Sequence, residues 1–159
     1  MIDVAARLAE LGIELGEVPT PLAAYLPAVR VGDLVFTAGQ LPLVDGRLIA
    51  AGVVGADVDP GTAAACARQC ALNALAAVES VVGDLARVSR VVKVVGFVAS
   101  TTDFTEHPAV VNGASTVLGE IFGDAGGHAR SAVGVSSLPM GAPVEVELVV
   151  EVSGARAGL

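Results

Sequence analysis

Apolar and acidic residues alternate most cleanly near the end of the chain. Val144, Val146, Leu148, Val150 and Val152 take every second position, with Glu145, Glu147 and Glu151 between them. A strand sends successive side chains to opposite faces, so Val144–Val152 reads as a strand with one apolar and one acidic face. Arg87–Ala99 is dense in valine and reads as a central strand, and Arg130–Val135 reads as another. Earlier, Ala28–Val31 and Leu34–Thr37 flank Gly32-Asp33, the signature of a hairpin closed by a two-residue turn. Gly39 and Pro42 then interrupt the pattern. Asp45-Gly46 marks a second turn, with Arg47–Ile49 after it as a weaker strand.

Three segments change to helical spacing. Val4, Leu8 and Leu11 make a short amphipathic helix within Ile2–Leu11, ended by Gly12. Asp59-Pro60 pairs an N-cap acid with proline at the first helical position, and the following Ala-rich helix runs to Val82 with Gly83 as its C-cap. Pro108 opens another helix through Val111, Val117, Leu118 and Ile121, stopping near Gly123. Pro19, Pro21 and Pro27 mark a turn-rich connector that carries Tyr25, and Pro139–Pro143 reads as a turn. The order β-β-(β)-α-β-α-β-β predicts an α+β fold: one sheet, mixed or mostly antiparallel, with two helices on one face. The expected organisation is a single domain over residues 1–159, with residues 1–16 as a helical N-terminal extension and 154–159 as a disordered tail.

Composition bears on what covers the sheet's other face. Hydrophobic residues make up 53 % of the 159-residue chain, yet aromatics are only 3 %, so the core rests on Val, Leu, Ile and Ala. No stretch approaches the ~20 uninterrupted apolar residues of a spanning helix. A second copy of the chain is the simplest cover, since obligate subunit interfaces resemble a divided core. The net charge of −8 and the scattering of the nine Lys and Arg argue against a nucleic-acid partner. No basic region followed by an apolar run opens the chain, which leads to the expectation of a cytoplasmic protein.

Candidate chemistry is sparse. Cys66 and Cys70, one helical turn apart, suit neither a disulfide nor a zinc site and read as small buried hydrophobes. His107 and His128 are isolated and make no metal site, although His128 would share a face with Arg130 if the strand starts early enough. Arg130 sits where a loop enters a strand and is suited to gripping a planar carboxylate; the competing reading is a salt bridge to one of the many acids. Glu145 is either one member of a solvated acidic face or, at a subunit junction, a group that positions a water.

Arg130-Ser131-Ala132-Val133, then Leu138-Pro139, then Val144-Glu145-Val146-Glu147 resembles the C-terminal signature of the Rid/YjgF family. Val29–Pro42, with Gly32 and Ala38-Gly39-Gln40-Leu41-Pro42, is similar to that family's N-terminal block, and Val111-Asn112 also matches. The resemblance spans about Ala23 to Val152. It implies a chorismate-mutase-like fold and a homotrimer whose sheets form a central barrel, with clefts between subunits. It also implies hydrolytic deamination of 2-imino or enamine acids to 2-keto acids, without metal or cofactor. By that resemblance Arg130 and Glu145 are the catalytic pair. Tyr25, Ala38, Gly39, Asn112 and Ala132 line the ligand site. Ala38 and Ala132 stand where the family commonly carries serine and cysteine, and Ala23-Ala24 where it has Gly-Pro before the tyrosine, which marks a divergent subgroup. The alternative is a trimer that binds a small keto acid without turnover; ribonuclease activity, a label some relatives carry, is disfavoured by the acidic charge.

Overall fold

The computed structural model describes residues 2–18 and 24–154. Helix α1 (Val4–Glu10) starts where the Asp3 carboxylate accepts from the Ala6 amide. The hairpin β1 (Ala28–Val31) and β2 (Leu34–Thr37) follows, then two very short strands, β3 (Leu43–Val44) and β4 (Arg47–Leu48). Helix α2 (Pro60–Val82) is capped by Asp59 at its start and by left-handed Gly83 at its end. Strand β5 (Val88–Ala99), helix α3 (His107–Phe122), strand β6 (Ala129–Val135) and strand β7 (Val144–Val152) complete the chain.

Five strands form one mixed sheet in the order β1-β2-β7-β5-β6. The β5–β6 pair is parallel, joined by the crossover through α3, and the other pairs are antiparallel. The β3–β4 hairpin stands apart as a two-stranded sheet, so the weak strand expected at Arg47–Ile49 does not join the main one. The six-residue hairpin Leu43–Leu48 turns at Asp45-Gly46 and pairs only two residues on each strand, which leaves little length for a further ladder.

Helices α2 and α3 cover one face. Val144, Val146, Leu148, Val150 and Val152 all point into it and are buried, as are Val91, Val94 and Val98 of β5. The buried face of α2 is rich in alanine, with Ala63, Ala67, Ala71, Ala74 and Ala77 completely enclosed, and small side chains let the helix lie close to its neighbours. Cys66 and Cys70 are free and buried in this layer. Burial pushes the Cys66 thiol up to about 11, and Cys70 rises well above the usual range through burial and the nearby Cys66 and Glu145. Both remain protonated packing groups at neutral pH.

The opposite face of the sheet is open. Val29, Val31, Leu34, Phe36 and Val133 are more than a third exposed there, and Glu145 and Glu147 share the face with them. At the N-terminus, α1 and the segment to Val18 pack with Val4 and Ile13 buried against the core. Pro19, Pro21 and Ala23 of the expected connector, and residues 155–159 of the expected tail, lie outside the described residues.

Candidate functional site

Strand β6 is one of the two edge strands of the sheet, and its register places Arg130 beside Val94, a completely buried residue of the helix-covered face. Parallel neighbours point the same way, so the Arg130 side chain leaves toward α3. Nη1 donates to Asn112 Oδ1 at 2.8 Å and to Ser115 Oγ at 3.2 Å. Asn112 and Ser115 are three residues apart on α3 and therefore share a face. Among the described residues of one chain no acid pairs with Arg130. Its Nε and Nη2 donate to no described residue. These two N–H groups form the parallel fork that fits a carboxylate.

Glu145 leaves the opposite face of the sheet, paired across with Phe97. Its carboxylate rests on the backbone of Gly39: a Cβ at position 39 would overlap Oε1 and stand 2.7 Å from Cδ. Only a glycine admits the carboxylate so close. Gly39 is held in place from both sides, since Ala38 donates to Pro27 O at 2.8 Å and Gln40 exchanges two backbone hydrogen bonds with Val146. Glu145 is half-buried and donates to or accepts from no described residue. Burial, and secondarily the charge of Glu147, raise its pKa above the ordinary carboxylate value.

The residues singled out in the sequence thus fall into two groups. Ala38, Gly39 and Glu145 come together, with Tyr25, 46 % exposed, two residues before the Pro27 carbonyl that anchors Ala38. Arg130, Asn112 and Ala132 form the other group, with Ala132 two residues along β6 on the same face as Arg130. Strand β5 lies between β7 and β6, and the two groups leave opposite faces of the sheet. One chain does not present Glu145 and Arg130 to the same ligand.

Sequence reasoning missed Ser115 and gave His128 no role. His128 immediately precedes β6, and its Nε2 lies 2.9 Å from Ser115 Oγ, the atom that also receives Arg130. The three-residue spacing from Asn112 was the available signal for Ser115. His107 is the first residue of α3; its Nε2 meets Ser100 Oγ at 3.0 Å and its ring packs edge-on to Phe104. Among the described residues no three of His, Cys, Asp and Glu converge as metal ligands.

The raised Glu145 pKa has a stability consequence of definite sign. Between the unfolded-state value and the higher folded-state value, the native chain holds a proton that the unfolded chain has lost, so stability falls as pH rises through that window. Glu145→Gln should remove that falling limb. Urea midpoints from pH 4 to 7 at fixed ionic strength would show the variant gaining on the parent as pH rises. Parallel curves would mean that the carboxyl is not desolvated.

The geometry can be set beside known proteins. Residues 5–152 match the family model described as "YjgF/chorismate_mutase-like, putative endoribonuclease". The chain belongs to the YjgF/chorismate mutase-like family. Within it, the chain is 43 % identical over 151 residues to Protein TCP17 of Trypanosoma cruzi, covering 94 % of each chain. It is 34 % identical over 132 residues to the 2-iminobutanoate/2-iminopropanoate deaminase of Dermatophagoides farinae, covering 83 % of this chain and 88 % of that one. A crystal structure of a protein of unknown function from Agrobacterium tumefaciens superposes with a TM-score of 0.87 at 43 % identity, over 95 % of this chain and 94 % of that one. This YjgF-type α+β fold agrees with the expectation from the Arg130-Ser131 and Gly39-Gln40 motifs.

Proposed function

We propose that the protein deaminates reactive 2-imino or enamine acids hydrolytically, in clefts between the subunits of a homotrimer. The observation that carries this reading is the Arg130 guanidinium, anchored to α3 through Nη1, with an Nε/Nη2 fork that donates to no described residue. That fork suits the carboxylate of a 2-imino acid. The relative named as a 2-iminobutanoate/2-iminopropanoate deaminase supports the substrate class. Glu145 on the Gly39 backbone supplies the base. It takes a proton from water as the hydroxide adds to the imine carbon and passes that proton to nitrogen; the hydroxyl of the resulting carbinolamine then gives its proton, by way of the same carboxylate, to the nitrogen, the C–N bond breaks, and ammonia leaves as the C=O of the keto acid forms. The raised pKa of Glu145 brings it nearer to neutral pH, where a base of that kind works best. The carboxylate clamp and the base leave opposite faces of one chain and meet only if another copy brings its Glu145 to this Arg130. The apolar open face of the sheet supports such an assembly.

The test is a coupled assay with a freshly generated 2-imino acid, beside light scattering that should report three chains of 15.8 kDa. A rate no greater than spontaneous hydrolysis would reject catalysis, and a monomer would reject the shared cleft. The second reading, a trimer that binds keto acids without turnover, is favoured by Ala38 and Ala132, which offer the ligand no hydroxyl or thiol. It predicts saturable keto-acid binding together with the absence of turnover.

A further inference from the structure

We infer that Ser115 and His128 are positioning residues for Arg130, acting through a hydrogen-bonded chain whose every proton is fixed by its far end. The inference rests on the carboxylate-binding reading of Arg130 for its consequence in function, but not for its geometry. The chain starts at the backbone. His128 Nδ1 lies 2.6 Å from Gly126 O, and a carbonyl oxygen can only accept, so Nδ1 carries a hydrogen. In the neutral ring Nε2 is then the acceptor, and the Ser115 hydroxyl 2.9 Å away must donate to it. With its single hydrogen spent, Ser115 Oγ turns lone pairs outward, and Arg130 Nη1 donates into one of them at 3.2 Å. The second hydrogen of Nη1 goes to Asn112 Oδ1 at 2.8 Å.

The far end of this hydrogen-bonded chain is closely packed. Gly126 is buried, and a Cβ there would overlap Leu118 O and stand 2.9 Å from Gly119 Cα, so the segment lies directly on α3. The Gly126 carbonyl, Ser115 and Asn112 are therefore all referenced to one helix. The guanidinium on β6 is oriented against that helix at two points. Two fixed acceptors on Nη1 set the plane of the guanidinium, and the plane sets where the Nε/Nη2 fork points. A Lys at position 130 could not be held this way, because an ammonium has no plane. Asn112, expected from the sequence to line the ligand site, is on this geometry a holder of the arginine. Neither Ser115 nor His128 reaches the fork side, so neither is a catalytic residue; both act through Arg130.

The experiment combines nuclear magnetic resonance of the assembled protein with calorimetry against 2-ketobutyrate. Nitrogen-15 spectra of the parent should show the His128 ring protonated on Nδ1 and unprotonated on Nε2, and a rigid Arg130 Nε–H. Ser115→Ala should loosen the Arg130 Nε–H and raise the 2-ketobutyrate Kd about tenfold, the scale of one hydrogen bond to a charged group. Ser115→Thr, which keeps the hydroxyl, should restore both. His128→Phe, which keeps the ring but not the acceptor, should behave as Ser115→Ala does. An Nε2-protonated ring, or an Arg130 Nε–H as rigid in Ser115→Ala as in the parent, would overturn the inference. A parent that shows the expected ring and rigid arginine yet binds no keto acid would overturn the carboxylate-binding reading and leave the positioning intact.

Discussion

Arg130→Ala should raise the dissociation constant for 2-ketobutyrate by at least about a hundredfold and lower kcat/KM on the imino acid by a similar factor. Each charge-assisted hydrogen bond of a bidentate clamp contributes about 1.5–3 kcal/mol, and losing two corresponds to two or more decades of affinity. The fold should survive. Arg130 lies on an edge strand, its bonds to Asn112 and Ser115 are at a partly exposed position, and both partners can turn to water. Arg130→Lys is the more informative variant. It keeps the charge but loses the planar fork, so it should recover only a small part of the affinity, whereas a purely electrostatic attraction would recover nearly all of it. Calorimetry on the two variants, with urea midpoints to show that each is folded, decides the matter. Unchanged binding in Arg130→Ala would place the ligand elsewhere and remove the basis for the proposed chemistry.

Where the sequence could be read and where it could not follows from the range of the forces involved. The α2 boundaries were legible because both ends are set by local chemistry: the Asp59-Pro60 cap and the left-handed glycine at 83. Strand β7 was legible because its core-facing valines alternate with outward glutamates. Strand β5 was less so, since a run of valine hides the two register shifts that turn Val92 outward. The detached β3–β4 hairpin could not be read, because nothing local says which ladder a two-residue strand will join. For the candidate site, the motif singled out Arg130, yet its hydrogen-bond partners Asn112 and Ser115 come from 18 and 15 residues away on α3. The contact of Glu145 with Gly39 depends on a pairing between Gln40 and Val146, more than a hundred positions apart in the chain. Whether Glu145 is desolvated is a property of that pairing and of the assembled sheet, which no spacing along β7 reveals.

Gly113 and Gly119 lie on the same helix, α3, and alanine should act on them in opposite directions. Alanine in a helix interior is favoured over glycine by about 0.8–1 kcal/mol, because it loses less backbone freedom on folding. At Gly119 a new Cβ meets nothing within 4 Å, so Gly119→Ala should stabilise by roughly that amount. At Gly113 a new Cβ would overlap the carbonyl oxygen of Ala64 on α2 and stand 2.8 Å from its carbonyl carbon. That obstacle is backbone, not the end of a flexible side chain, so α2 and α3 must separate. Forced overpacking costs about 1–3 kcal/mol and, against a backbone obstacle, exceeds the propensity gain, so Gly113→Ala should be destabilising by up to about 2 kcal/mol, and Gly113→Val more so. Urea denaturation at one fixed protein concentration, to hold any assembly constant, gives the comparison. Equal shifts for the two alanine variants would mean that the helices do not approach as described. Because Asn112 is the neighbour of Gly113 and Ser115 lies two residues on, a displaced α3 also moves both acceptors of Arg130 Nη1. Gly113→Ala should therefore weaken keto-acid binding as well as the fold, while Gly119→Ala leaves binding untouched. Close packing of two helices, made by one absent methyl group, is thus tied to the aim of the guanidinium.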